Sequence, residues 1–344
     1  MSLSVVSFPA LPLTPDWRKW ISECLMLGYE QSYITTTLLQ SGFDVEAISN
    51  ELCAIHADPC FHAGMVAAQR LRKLTSTMNI LDELAGLSSG AAGIERRSNV
   101  SPEEFLECYY AANRPVILTD LMQNWGAPTK WTPEYLKDVC GHETIEIMGE
   151  RECDARYEIN SIQHKRSVRF SDYVDRVMGA GQTNDFYLVA NNNFMDTEGG
   201  RRLYHDIEEF PGFLNPQQSG CVFFWFGPAG TVTPLHHDTM NIFLAQVRGR
   251  KAVRLISPRQ TPFVYNNTGV YSEVDCEQPD YETYPLFRSV RQFDLVLEPT
   301  ETLFLPVGWW HHVRALDVSV SMSFTNVIWP NHYTWDQPSI DRNL

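Results

Sequence analysis

Thr233-Pro234-Leu235-His236-His237-Asp238, answered further along by Trp309-Trp310-His311-His312, is the stretch on which the reading of this chain turns. On a β-strand, residues two apart project to the same face, so His236 and Asp238 can turn toward one point. His311, from a distant strand, would complete two imidazoles and one carboxylate around a metal. That donor set leaves coordination positions open and suits non-haem Fe(II), which must also hold a co-substrate and dioxygen. His-x-Asp alone arises often by chance, and its setting gives it weight.

From about residue 143 onward, short β-rich runs alternate with Gly, Pro and Asn turns. They fall at 144–148, 186–190, 221–226, 242–247, 252–256, 302–305, 311–316 and 319–327. Strands of this length and spacing predict a barrel or sandwich. Gly249 reads as the turn of a hairpin. Upstream, Ser101-Pro102-Glu103-Glu104 is a capping box, Arg114 to Leu118 holds a short apolar strand, and a helix is expected near 133–139. The long stretches 191–220, with Asn191-Asn192-Asn193, and 265–284, with four tyrosines, read equally as substrate walls or as surface excursions.

Residues 14–87 carry helical periodicity instead. Thr14-Pro15-Asp16 starts a helix, and Trp17, Trp20, Ile21, Cys24 and Leu25 follow at three- and four-residue spacing. Ile34, Leu38 and Leu39 mark a second stripe, and Val45, Ile48 and Leu52 a third. Val66, Leu71, Leu74, Met78, Leu81 and Leu84 mark a fourth, and all four stripes are assigned to core. His56 and His62 lack a metal-type neighbour. Residues 1–12 form a Pro-punctuated arm, and the Gly/Ser-rich run from Gly86 to Gly93 reads as a linker. The expected organisation is a helical domain over 1–90 and a β-rich domain over 95–344.

The formal net charge of −15 argues against a nucleic-acid face, which needs a basic patch. No apolar run approaches ~20 residues, so no membrane span is expected. The first residues lack a secretory pattern. The eight cysteines contain no Cys-x-x-Cys pair, and a chain of this size does not need disulfides. A cytoplasmic location is expected.

Several ordered motifs together resemble the Jumonji-C/cupin-like class of Fe(II)- and 2-oxoglutarate-dependent oxygenases, and within it most closely the asparaginyl hydroxylase branch and its bacterial cupin-like relatives. They are Asn113-Arg114-Pro115-Val116-Ile117-Leu118, the stretch from Thr233 to Asp238, Leu244 to Lys251, and Leu305 to His312. The resemblance runs from about 98 to 329. It implies a mainly β fold: a double-stranded β-helix (jelly-roll, cupin, JmjC type) with flanking helices, here preceded by the small all-α domain. It implies iron ligands at His236, Asp238 and His311, with His237 and His312 turned away. Lys251, Thr233 and Tyr187 are implied as anchors for one carboxylate of 2-oxoglutarate. Asn326 alternates with Val320, Met322 and Phe324, and is assigned to the other end of that co-substrate. The hydroxylase pattern often has an asparagine where this chain has Ile242; either a bulge re-aims Asn241 or that contact is absent.

The activity implied is hydroxylation of an unactivated C–H on a protein, peptide or amino-acid substrate. It consumes O2 and 2-oxoglutarate and releases succinate and CO2. An N-methyl-lysine demethylase of the same chemistry and a non-catalytic metal- or ligand-binding cupin-like module are the alternatives. If the chain forms a homodimer, the helical domain is the expected contact.

Overall fold

Thr14 and Pro15 open the first helix as the sequence predicts, because proline's fixed φ suits a first turn whose N–H has no helical partner. In the computed structural model, which describes residues 13–87, 93–190, 193–208 and 210–333, four helices form the N-terminal part. They are α1 (Pro15–Leu27), α2 (Gln31–Gln40), α3 (Val45–Ala57) and α4 (Pro59–Gly86). Backbone contacts divide the chain into two compact units, Met1–Glu83 and Leu84–Leu344. The expected arm at 1–12, and the heart of the expected linker at 88–92, lie outside the described residues.

In the first unit, Ile21, Cys24, Ile34, Leu38, Phe43, Ile48, Leu52, Ile55 and Phe61 form one buried cluster. Three of the four stripes therefore contribute to core, although Leu39 and Val45 at their margins are exposed. The fourth does not: Phe61 is the buried side chain of α4, while Leu71 and Leu74 are 64% and 62% exposed. The small helical core is closed by the first turns of α4, and among the described residues Val66, Leu71, Leu74, Leu81 and Leu84 of its stripe are exposed.

The second unit is a mainly β, cupin-like jelly roll. Its strands are β1 (Arg96–Arg97), β2 (Val116–Leu118), β3 (Thr144–Met148), β4 (Lys165–Arg169), β5 (Val222–Gly227) and β6 (Val232–His237). They continue with β7 (Ile242–Arg248), β8 (Lys251–Ile256), β9 (Gln292–Leu297), β10 (Thr302–Leu305), β11 (Trp310–Ala315) and β12 (Ser319–Phe324). A six-stranded sheet has the order β1-β2-β10-β7-β12-β5, and a four-stranded sheet the order β6-β11-β8-β9. β3 and β4 make a separate ribbon. Expected strand 186–190 is reduced to single bridges, Tyr187 with Met148 and Leu188 with Phe226. β4 and β9 were not foreseen, because Lys165-Arg166-Ser167-Val168-Arg169 and Gln292-Phe293-Asp294 are too polar to announce strands.

Three apolar layers hold this unit. Leu244, Leu303, Leu305, Val253, Leu255, Leu297 and Val313 pack between the two sheets. Val320, Met322, Phe324, Phe224, Phe226 and Phe243 face the other way, onto the helix Phe170–Gly179 and its neighbours. Leu235, Ile256 and Trp310 face outward from the four-stranded sheet onto Val264, Val274, Cys276 and Phe287. The six-stranded sheet is thus buried on both faces, which explains its near-continuous apolar strands. Described parts of the 191–220 stretch are also core. Phe194, Leu203, Phe210 and Phe213 are buried there, with helical turns at Phe194–Asp196 and Glu198–Leu203, while Asn191 and Asn192 lie outside the described residues.

Gly249 closes the β7–β8 hairpin at φ 70°, and a Cβ there would meet the Val318 carbonyl oxygen at 2.3 Å. Gly249→Ala is expected to lower stability by at least ~1 kcal/mol from the left-handed backbone alone, more with the clash. A melting temperature equal to that of the parent would contradict this account of the turn.

Candidate metal centre

β6 pairs antiparallel with β11, and His236 lies directly opposite His311. Two residues later on β11, Val313 is opposite Thr233, so three steps on β6 match two on β11. The extra residue is a β-bulge at Pro234-Leu235, where proline has no N–H to give to the ladder. Leu235 turns into the outer apolar layer, while Thr233, His236 and Asp238 all line one cavity of about 330 Å³. Strict alternation would have put Thr233 and His236 on opposite faces.

Ligand-type atoms of His236, Asp238 and His311 lie within 4.8 Å of one another. His311 Nε2 is 3.4 Å from Asp238 Oδ2. Each imidazole is oriented by its other nitrogen, His236 Nδ1 to the Pro234 carbonyl at 2.8 Å and His311 Nδ1 to the Trp309 carbonyl at 3.0 Å. Both Nδ1 atoms therefore carry the proton, which leaves Nε2 lone pairs directed at the common point. Burial, with His236 beside it, pushes His311 down to about 4, so its ring is neutral near pH 7. Two oriented imidazoles and a carboxylate suit a divalent first-row metal and leave part of its sphere for other ligands. His237 packs on Trp310 at 4.8 Å between ring centres, and His312 Nε2 lies 3.9 Å from Glu277. Neither lines the cavity.

The cavity also has a buried amine. Lys251 is 3% exposed, and its Nζ donates to Tyr187 Oη at 3.1 Å. No carboxylate pairs with it among the described residues. Burial alone pulls its amine down to about 7 and raises the Tyr187 phenol. Lys251, Tyr187 and Thr233 line the same space as the three metal-type ligands. A buried ammonium without a counter-ion is costly, and an incoming carboxylate would satisfy it.

The two asparagines stand elsewhere. Asn326 does share a face with Val320, Met322 and Phe324, but that face packs outward, and Ser323 and Thr325 take the cavity side. The Asn326 amide nitrogen donates to the Asn215 carbonyl at 2.9 Å, and Asn215 N donates back to the Asn326 carbonyl at 2.6 Å. No bulge re-aims Asn241 into the cavity. It is 1% exposed, its Nδ2 bonds Asn331 and Tyr333, and its Oδ1 accepts from Val307 N at 2.9 Å. Its work is to hold the turn that leads into Trp309 and His311.

Glu158 and Tyr271 line the cavity and were not singled out from the sequence. The Tyr271 ring stacks on His236 at 5.8 Å between centres. The segment carrying it pairs with the open edge of β6 through His237 N to the Val270 carbonyl and Ser272 N to the Leu235 carbonyl. Within the tyrosine-rich 265–284 stretch, Val270 and Tyr271 therefore line the cavity while Tyr281 is exposed, and a strand pattern as short as Val270-Tyr271-Ser272 gave no signal of it.

A family model described as a cupin-like domain matches residues 102–332. Lysine-specific demethylase 8 of Xenopus tropicalis is 31% identical over 242 residues, covering 65% of this chain and 50% of that protein. Lysine-specific demethylase JMJ30 of Arabidopsis thaliana is 34% identical over 237 residues, 67% of this chain and 54% of that protein. The tRNA wybutosine-synthesizing protein 5 of Gallus gallus is 29% identical over 253 residues, 70% of this chain and 77% of that protein. The chain thus spans about half the length of the two demethylase-named relatives.

The buried lysine makes a pH-dependent expectation. Between about 7 and the free amine's 10.5, the unfolded chain holds a proton on Lys251 that the fold has released. Stability therefore rises with pH across that window, and the penalty is fully present below it. Without ligands, Lys251→Met should melt above the parent near neutral pH, and the gap should shrink as pH rises toward 10.5. A gap independent of pH would place the ammonium in contact with solvent.

Proposed function

The chain belongs to the cupin-like domain family, and from that premise we propose that it is an Fe(II)- and 2-oxoglutarate-dependent oxygenase that hydroxylates an unactivated C–H. The observation that carries this reading is one cavity holding both His236, Asp238 and His311 and the uncompensated Lys251 with Tyr187 and Thr233. In this reading the first three residues are the iron ligands, and the second three grip one carboxylate of 2-oxoglutarate. Bound there, the iron would supply dioxygen activation coupled to oxidation of the co-substrate to succinate and CO2.

The protein's own part is positional. Nδ1–carbonyl bonds hold the imidazoles in one tautomer. Lys251 fixes the co-substrate by charge, and the apolar walls Leu244, Leu305 and Val313 limit water around the reacting centre. No side chain has to act as a general base. The substrate is proposed to be an amino-acid side chain in a protein or peptide, or an amino acid. The free state of all eight cysteines agrees with a reducing, cytoplasmic setting. Among the described residues, no helix is long and apolar enough to cross a membrane. The exposed stripe of α4 is the proposed contact of a homodimer.

A second reading has its own support. Three relatives carry the name lysine-specific demethylase, and oxidation of an N-methyl C–H uses the same centre. Hydroxylation is preferred here because of the resemblance of the 113–118, 244–251 and 305–312 motifs to the asparaginyl hydroxylase branch.

The test is anaerobic titration of Fe(II)-loaded protein with 2-oxoglutarate, followed by the weak visible charge-transfer band of a chelated complex. The band should form in the parent, and His236→Ala or Asp238→Ala should abolish iron binding and turnover. Lys251→Ala should keep the iron and raise the 2-oxoglutarate requirement at least about tenfold, the order of one lost charge-assisted bond. Full activity in both ligand variants would overturn the assignment.

A further inference from the structure

Arg151 is fully buried at 0% exposure, in the short turn Arg151–Cys153 that follows β3. Its Nη2 donates to the Val232 carbonyl at 2.6 Å and to Glu158 Oε1 at 2.9 Å, and its Nη1 donates to Asn184 Oδ1 at 3.0 Å. Val232 is the first residue of β6 and stands next to Thr233. Its N–H donates to the same Asn184 oxygen at 2.8 Å, and its carbonyl also accepts from Tyr157 Oη at 3.0 Å. The guanidinium lies 4.2 Å from the Tyr157 ring centre and 5.5 Å from that of Tyr187. Lys251 Nζ is 5.8 Å from that same Tyr187 ring. A single buried cation therefore touches the strand that carries Thr233, the phenol that meets Lys251, and the carboxylate of Glu158 on the cavity wall.

Burying a guanidinium is expensive unless its charge is matched, and an amide would suffice to hold one carbonyl. The charge itself needs a use. Glu158 lines the cavity and is 13% exposed, so unpaired it would repel any anion drawn to Lys251. We infer that Arg151 is a positioning residue for the anion-binding end of the cavity: it fixes the start of β6 beside Thr233 and cancels Glu158, so that the site accepts a dicarboxylate. This rests on the proposed use of Lys251, Tyr187 and Thr233.

The test is calorimetric titration of the full chain with 2-oxoglutarate after loading with Mn(II), and with glutarate in the absence of metal. Arg151→Met should weaken both by about tenfold or more, the order of one unit charge acting across a partly buried separation. Glu158→Gln should tighten both, and the double variant should regain most of what Arg151→Met lost. Mn(II) affinity should stay at the parental value in Glu158→Gln, whereas a general loosening of the site would move it. Parental affinity in Arg151→Met overturns the inference, as does a double variant no better than the single one. If Arg151→Met does not fold, Glu158→Gln decides, since unchanged anion affinity there refutes the charge account. A parent that binds glutarate but not 2-oxoglutarate sinks the proposed function and leaves the inference standing. A parent that binds neither removes both.

Discussion

The extra residue on β6 is the constraint from which the site follows. With two residues of β11 matched by three of β6, His236 meets His311 across the ladder and Thr233 still faces the same space. A one-residue change of register exchanges the two faces of a strand. Without the bulge, Thr233 would join Leu235 in the outer apolar layer, or His236 would leave the cavity. Pro234 sits where the ladder is interrupted, so its missing N–H costs no hydrogen bond there, and its carbonyl orients the very imidazole it precedes. One local irregularity thus brings His236 and Thr233 into the same cavity.

Polarity in the cavity is tolerated because apolar burial is carried elsewhere. The layer outside the six-stranded sheet is dense with rings: Phe105, Phe210, Phe213, Phe243, Phe304 and Trp329 stack or meet edge to face around one another. The intersheet layer is mainly aliphatic, and its members Leu244, Leu305 and Val313 reach the cavity as apolar wall. What remains between the sheets can be given to Lys251, His311 and Asp238. Lys251 is a net cost to the fold in the absence of an anion, a common feature of sites built for ligand rather than for stability.

Much of this was legible in the chain, for reasons that also explain what was not. His236 and Asp238 announce themselves because spacing on a strand is short-range information, as does the turn at Gly249, whereas the distant His311 was legible only through the family resemblance of the 305–312 motif. Asn326 shows the limit of alternation. Its parity with Val320, Met322 and Phe324 holds, but β12 is buried on both faces, so apolar neighbours no longer mark the interior. Asn241 is claimed by Asn331, ninety residues away, and no local pattern carries such a pairing. The stripe on α4 shows which face is apolar and says nothing of whether anything covers it. Arg151, Glu158 and Tyr271 belong to no motif; they matter through where the turn after β3 and the tyrosine-rich wall happen to run.

That wall bears on how a polypeptide could approach the site. β6 is an outer strand of its sheet, and such an edge offers free amides and carbonyls to any extended chain. Here Val270 and Ser272 already occupy those groups, next to the ligand strand. A visiting chain therefore finds the His237 N–H and the Leu235 carbonyl already bonded on that side. For the protein or peptide substrate proposed above, selectivity would then fall on the inserted side chain, with Tyr271 and Glu158 among the groups that line the cavity it enters.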